Sequence, residues 1–447
     1  MVDILLINSP IHDYSKYPRF KTSYSTPVGL LYLGTMAKKA GFEVKIIDAE
    51  QNQLAHYDIL ALIDDLRPSF VGFNVFTINN DIVEGIIDLV PKDVTVILGG
   101  PHITAMGFQY FQKHFLRADI LVRHDGEFKL VDILRKKPYA EISDIYYKEN
   151  DVLKMSSGYD ISFDLDDLPI VDRTLLRGEP YIKNNKLYVD MSISRGCIYT
   201  CSFCAGSCKH AGTVYKRRSL LNIAKEVNEL IEVYHVEGIE IVDDLPFYRI
   251  RDLEEFLDYI EKADLKIEWE INFPFLFLRT LNKTHFNKMK AMGIKRIAIG
   301  IESGTYDVRA LSGKRIYEEP LVTLLKTIFD SKIYIKGYFI IGFPHETRDQ
   351  IDQTLTFAKK IFDLSHQSNK AYFDPRIFIY KPFPKTPMWT QLLLDGYKED
   401  ELLKYHDFEL DISYFNKHAW RSNLQLSEVE PHVLTELINE FYLKIRK

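Results

Sequence analysis

Excess positive charge is missing from this chain. Its 57 Lys and Arg residues face 63 Asp and Glu, a formal net charge of −6, which argues against nonspecific nucleic-acid binding, since that needs a basic face. No nucleic-acid partner is therefore expected. Long apolar runs are also absent: none reaches the roughly 18 residues of a membrane-spanning helix. The first residues, Met-Val-Asp-Ile-Leu-Leu-Ile, lack the basic start of a signal peptide and run straight into a strand pattern. A cytoplasmic protein is the default expectation. Gly and Pro number only 22 and 18, and no low-complexity segment or short repeat stands out. What remains is a globular composition, 46% hydrophobic over 447 residues, enough for two or three domains with sizeable cores.

Cysteine is scarce as well, and its placement is informative. The four cysteines, Cys197, Cys201, Cys204 and Cys208, fall within twelve consecutive positions. A disulfide framework would be spread through a small secreted chain, whereas clustered cysteines in a cytosolic chain point to a metal. Structural zinc prefers paired Cys-x2-Cys knuckles set well apart, and no second pair exists here. Three thiolates within eight residues can instead wrap one corner of a four-iron cubane and bind three of its irons. The fourth iron then stays open to a chelating ligand.

The surrounding sequence alternates between strand and helix patterns in two stretches. In the first, residues 2–8, 43–48, 70–75, 95–98 and 119–122 have strand character, and 28–40 has helical spacing that ends before Gly41. This alternation predicts a Rossmann-like (flavodoxin-like) parallel-sheet domain over residues 1–140. Residues 141–185 break the rhythm: 142–147 and 152–155 resemble a hairpin, and an acidic stretch from Asp160 to Asp172 reads as a linker. The alternation resumes with candidate strands at 188–194, 238–242, 267–272, 296–300, 334–341 and 376–380, and with helical stretches such as 219–236 and 282–292. Six such units suggest a partial (β/α)6 barrel over residues 186–385. Residues 386–447 read as a C-terminal helical region, with a last helix at 430–446. The fold class is α/β. The cysteine loop follows the first barrel strand, at the end where barrel active sites form.

The loop Gly196-Cys197-Ile198-Tyr199-Thr200-Cys201-Ser202-Phe203-Cys204 resembles the Cys-x3-Cys-x2-Cys signature of the radical S-adenosylmethionine (SAM) superfamily. Other segments agree in order: Arg217-Arg218-Ser219; Ile239–Asp244, ending Asp243-Asp244; Arg296–Gly304, with Glu302-Ser303; the turn at Gly342-Phe343-Pro344; and Pro384-Lys385-Thr386-Pro387, where Lys385 replaces a familiar Gly. The resemblance implies a [4Fe–4S] cluster on Cys197, Cys201 and Cys204. It also implies SAM held by Glu302, Ser303, Asp243, Asp244, Gly342 and Phe203, with Glu302 at the ribose hydroxyls. One-electron cleavage of SAM would then yield a 5′-deoxyadenosyl radical that removes a substrate hydrogen.

The first domain resembles the cobalamin-binding domain that precedes many such barrels, through Ile7-Asn8-Ser9-Pro10, Pro27–Gly34, Gly41–Val44, Gly99-Gly100-Pro101-His102 and Asp125-Gly126-Glu127. That implies cobalamin and C-methylation. Asp-x-His-x-x-Gly, which supplies a lower His ligand in mutase-type domains, is absent. The same resemblance allows a cobalamin-free enzyme of dehydration, epimerisation or ring formation, while an Fe–S redox sensor is the non-enzyme alternative. Cys208 is read either as a small buried residue or, more sharply, as a catalytic hydrogen donor. The implied partners are a small-molecule, lipid, sugar or peptide substrate and a reductant such as flavodoxin or ferredoxin.

Overall fold

The computed structural model describes residues 2–16, 25–157, 163–176, 182–183, 185–367, 372–404 and 424–445. Asp160 of the acidic stretch, residues 405–423 of the C-terminal region and Arg446 lie outside these. The chain divides into two compact units, residues 1–180 and 181–447.

In the first unit, β1 (Ile4–Asn8), β2 (Val44–Asp48), β3 (Phe70–Asn74), β4 (Thr95–Gly99) and β5 (Ile120–Val122) form a parallel sheet in the order β2-β1-β3-β4-β5. These strands are buried on both faces, as in the fully buried Ile-Leu-Leu-Ile run of β1, because helices cover both sides of such a sheet. The order reverses between β1 and β3, and ligands of doubly wound sheets bind beyond the strand ends at such a reversal. β6 (Ile145–Glu149) and β7 (Val152–Met155) extend the sheet antiparallel from β5. The hairpin therefore belongs to the first unit's sheet, since β5 offers an edge and the Ile145, Tyr146 and Tyr147 side chains are buried against it.

His102 illustrates how this core treats a lone histidine. It is fully buried, with its ring nitrogens 3.4 Å from Thr77 Oγ1 and 3.3 Å from Tyr110 Oη. Burial, helped by nearby His114, pushes its imidazole down to about 3. The folded unit thus keeps the ring neutral, while the unfolded chain protonates it near pH 6.5. This group's contribution is complete above pH 6.5 and is lost as pH falls, by about 2 kcal/mol at pH 5. Urea unfolding at pH 7 and pH 5 should show this loss, and His102→Phe should remove most of it; an unchanged pH dependence in the variant would refute the assignment.

In the second unit, β9 (Lys186–Met191), β12 (Gly238–Ile241), β13 (Glu268–Phe273), β14 (Ile294–Glu302), β15 (Tyr334–Ile341) and β16 (Phe373–Ile379) run parallel in the order β16-β15-β14-β13-β12-β9. The short β8 (Ile182–Lys183) pairs antiparallel with β9 at one edge. A two-stranded ribbon joins β10 (Ser194–Arg195) to β11 (Lys216–Arg217). Alternate residues such as Ile239, Ile241, Trp269, Ile271, Ile297, Ile299, Ile335 and Phe339 are buried in one hydrophobic core with the helices, each worth roughly 1.5–3 kcal/mol of burial. The opposite face of the same strands carries Asp190, Glu240, Glu270, Arg296, Lys336 and Arg376. Six parallel strands with one apolar and one polar face make a half-barrel with a polar inner surface. The C-terminal helix Pro431–Ile445 packs Leu434, Leu437, Ile438 and Phe441 into this core.

Candidate active site

The cysteine loop leaves β10 through Gly196, whose φ of +79° favours glycine. A Cβ there would lie 2.4 Å from Cys208 Sγ. Cys208 is buried, starts the short helix Cys208–Ala211, and donates its backbone N–H to Cys197 O at 2.8 Å. It closes the back of the loop. Cys197, Cys201 and Cys204 are half-buried free thiols. Burial pushes the Cys197 thiol up to about 11 and Cys204 up to about 12, and raises Cys201. Backbone N–H groups of Tyr199 and Gly206 oppose this by donating to Cys197 and Cys204, the latter at 3.3 Å. Desolvated thiolates need a compensating cation, which coordinated iron supplies.

The strand ends around the loop divide into braces and lining. Asp243 is a brace. Its Oδ2 accepts from Ile193 N and Ser194 N at 2.6 and 2.8 Å, fixing the chain just before the loop. Burial raises its carboxyl to about 6 against those hydrogen bonds. Arg218 braces the same segment, donating to Ser192 O at 2.9 Å and pairing with Glu226, while Ser219 caps the following helix. Asp244 lines the site. Its side chain is open to solvent but closely walled, so desolvation raises its carboxyl; it acts electrostatically on Cys197 and Cys204. A Cβ on Gly206 would meet its Oδ2 at 2.4 Å.

Glu302 ends β14 in the left-handed region, at φ +68°, a conformation a non-glycine residue adopts only under constraint. The constraint is Lys314, a buried lysine that pairs with Glu302 and donates to Gly300 O at 2.9 Å. Burial opposes the Lys314 ammonium, but Glu302, Cys201 and Cys204 hold its pKa above the usual lysine value. The preceding Gly313, at φ +88°, approaches Cys201 so closely that a Cβ would lie 3.2 Å from its Cα, and Ser202 N donates to Ser312 O at 3.2 Å. The segment 311–314 therefore clamps the cysteine loop. Ser303 points elsewhere: its hydroxyl lies 2.9 Å from Thr354 Oγ1 and accepts from Thr305 N at 3.1 Å.

Beyond β15, Gly342 (φ +80°) and Phe343 donate their N–H groups to Glu346 Oε2 at 2.6 and 3.0 Å. Burial raises the Glu346 carboxyl to about 7. The Phe203 ring centroid lies 5.9 Å from that of Phe343, which lies 5.1 Å from Tyr380. Lys385 adopts φ +63°, the conformation a glycine would take there freely, so the turn persists despite the substitution. Thr386 caps the next helix, and Met388 N donates to Ser202 O at 3.0 Å. Sequence reasoning missed Gly313, Lys314 and Glu346. A Ser-Gly-Lys after a helix is a weak signal, and only contact with Cys201 and Glu302 gives it meaning.

The model of the radical SAM superfamily matches residues 191–358, from the end of β9 through β15. That stretch is a radical SAM domain. A second model, of the B12 binding domain, matches residues 22–134. With a radical SAM domain and a B12 binding domain in one chain, the protein is an enzyme. An uncharacterized methyltransferase of Pyrococcus horikoshii is 28% identical over 403 residues, 89% of this chain and 84% of that one. The anaerobic magnesium-protoporphyrin IX monomethyl ester cyclase of Cereibacter sphaeroides is 22% identical over 82% of this chain, and the match spans 60% of the cyclase. Among solved structures, the radical SAM methyltransferase TsrM from Kitasatospora setae, with cobalamin and a [4Fe–4S] cluster bound, superposes with a TM-score of 0.63. That match has 16% identity over 88% of this chain and 75% of TsrM. The fold is therefore shared.

The residues present fit these groups. Among the described residues, no three Cys, His, Asp or Glu side chains converge on a single ion; a cubane differs because each thiolate binds its own iron. For SAM, Glu346 Oε1 and Tyr380 Oη are buried without a hydrogen-bond partner beside the loop. In the first unit, Ser9 Oγ is similarly orphaned at the β1–β3 reversal, where Ser9 N donates to Asn74 Oδ1 and Asn74 Nδ2 to Asn8 Oδ1, both at 2.7 Å. Gly100 beside it, at φ +108°, packs on Val75 with no room for a Cβ. His102 is buried nearby with both ring nitrogens facing hydroxyls.

Proposed function

We propose that the protein is a cobalamin-dependent radical SAM C-methyltransferase acting on a small molecule. The observation that carries this is the presence, in one chain, of the three-cysteine loop and a doubly wound B12-binding domain with a polar, glycine-containing strand-end cradle. Relatives named as methyltransferases support it. When bound, the cofactors supply a 5′-deoxyadenosyl radical for hydrogen abstraction and a methyl group for transfer.

The chain's own residues do the rest. Cys197, Cys201 and Cys204 would hold the cluster, and Asp244, Glu302 and the Gly342–Glu346 turn would position SAM. Phe203, Phe343 and Tyr380 form an aromatic wall that excludes water and stray hydrogen donors. Asn8, Ser9, Asn74 and the Gly99-Gly100 turn would cradle cobalamin. Lys314 and Asp243 keep the loop in one geometry, so that the reacting atoms stay in place. A reductant such as flavodoxin or ferredoxin supplies the electron. No helix among the described residues is long and apolar enough to cross a membrane. A hydrogen donor at Cys208 is not required for methyl transfer; unchanged turnover and product stereochemistry in Cys208→Ala would remove that role.

The test is anaerobic purification, cluster rebuilding and supply of hydroxocobalamin, followed by assays of iron, sulfide and cobalt. Roughly four irons per chain with stoichiometric cobalt, and reductant-dependent 5′-deoxyadenosine, are expected. Cobalt-free protein that still cleaves SAM would overturn the methyltransferase assignment and leave dehydration, epimerisation or ring formation. Cluster-loaded protein that binds no SAM would defeat the enzyme assignment.

A further inference from the structure

The inner surface of the half-barrel is charged along its whole width. In register across the sheet lie Asp190, Glu240, Glu270 and Arg296. Next to them are Lys336 and Asp374, and then Tyr338 and Arg376. Most of these groups pair with one another. Glu270 binds Lys183 and Arg296, Glu240 lies 3.4 Å from Lys183 and 4.0 Å from Arg296, and Asp374 holds Arg376 at 2.8 Å.

Lys336 is the exception. Among the described residues it forms no ion pair, and its Nζ lies 5.3 Å from the centroid of the Tyr338 ring. The carboxylates that act on it, Glu240 and Asp374, already carry their own cations, and Arg296 and Arg376 add positive charge on either side. Burial and those arginines lower its pKa below the usual lysine value. A half-buried ammonium in this setting lacks the counter-charge that normally accompanies a desolvated cation.

Space is left beside it. The residues of β14 in register with Lys336 and Tyr338 are Ala298 and Gly300, so no large β14 side chain fills the lumen there. The Glu302 carboxylate reaches this face, since a Cβ on Gly300 would lie 2.4 Å from its Oε1. The register partner of Glu302 is Phe339, three residues beyond Lys336 on β15, about 10 Å along the strand at 3.3 Å per residue. A small substrate could span that distance from the mouth.

We propose that Lys336 anchors an oxyanion of the substrate, a carboxylate or a phosphate, inside the half-barrel, with Arg376 and Tyr338 beside it. This rests on the half-barrel being the substrate chamber of a radical SAM enzyme. The substrate class is an anionic small molecule whose charged group lies deep in the lumen while its reacting carbon stays near the mouth. A fully neutral lipid would leave Lys336 without a counter-charge.

The experiment uses the cluster-loaded full chain and two probes, inorganic phosphate and succinate, with equal ionic strength kept by sodium chloride. Isothermal titration should detect saturable binding of at least one probe, and which one binds separates phosphate from carboxylate recognition. Lys336→Gln and Lys336→Met should weaken it at least tenfold, and Lys336→Arg should retain most of it. Substrate-independent formation of 5′-deoxyadenosine, followed in parallel, should be the same in all forms. No saturable binding by the wild type, or equal binding in Lys336→Gln, overturns the anchor. Loss of SAM cleavage in the wild type would instead sink the enzyme assignment and leave the binding result intact.

Discussion

Cys201→Ala should yield a folded protein with little iron and no 5′-deoxyadenosine above background. Cys201 is the middle cysteine of the loop and a proposed cluster ligand, and the segment 311–314 packs directly on it. A cubane held by two thiolates loses one of its three protein anchors, and the two remaining thiols, pushed up by burial, return to the neutral form. The absorbance of the rebuilt cluster, its iron and sulfide content, and SAM cleavage measure this. Cys197→Ala and Cys204→Ala should behave alike. Cys208→Ala should keep its iron, because Cys208 Sγ is turned toward Gly196. Normal cluster content in any of the first three variants would remove that cysteine from the ligand set.

Lys314→Met should cost about 3–5 kcal/mol of stability in the second unit, because it strands the buried Glu302 carboxylate without its partner. The variant also removes the donor to Gly300 O and loosens the contact between the segment 311–314 and the cysteine loop. Denaturant unfolding gives the energy, and SAM binding gives the functional loss. Adding Glu302→Gln should recover much of the stability but not SAM binding, since Glu302 itself is the proposed ribose ligand. A double variant no more stable than Lys314→Met would show that the pair is not the source of the cost.

The sequence made the cysteine loop legible because its chemistry is local: three thiols within eight residues need no tertiary knowledge to be read as candidate ligands of one cluster. The strands were legible for a similar reason, since alternation of apolar and polar residues in β13 and β15 follows from one face meeting helices and the other a polar lumen. Other features were legible only in part. Asp243-Asp244 looked like one motif, yet Asp243 turns down to brace Ile193 and Ser194 while Asp244 lines the site. Glu302-Ser303 splits in the same way, with the Ser303 hydroxyl spent on Thr354 and Thr305. Adjacent residues at a strand end point to opposite sides, and sequence alone does not say which side holds the ligand.

By itself, then, the sequence determined the two-part α/β organisation and singled out three clustered thiols with the chemistry they imply. Tertiary structure decided the partnerships between residues distant in the chain: Lys314 with Glu302, Glu346 with the Gly342 turn, the β6–β7 hairpin with the β5 edge, and Lys336 left, among the described residues, without a carboxylate of its own. The physical reason is range. Metal ligation within one loop and strand periodicity depend on neighbours a few residues apart, whereas ion pairing, burial and backbone strain depend on which strands the fold sets side by side.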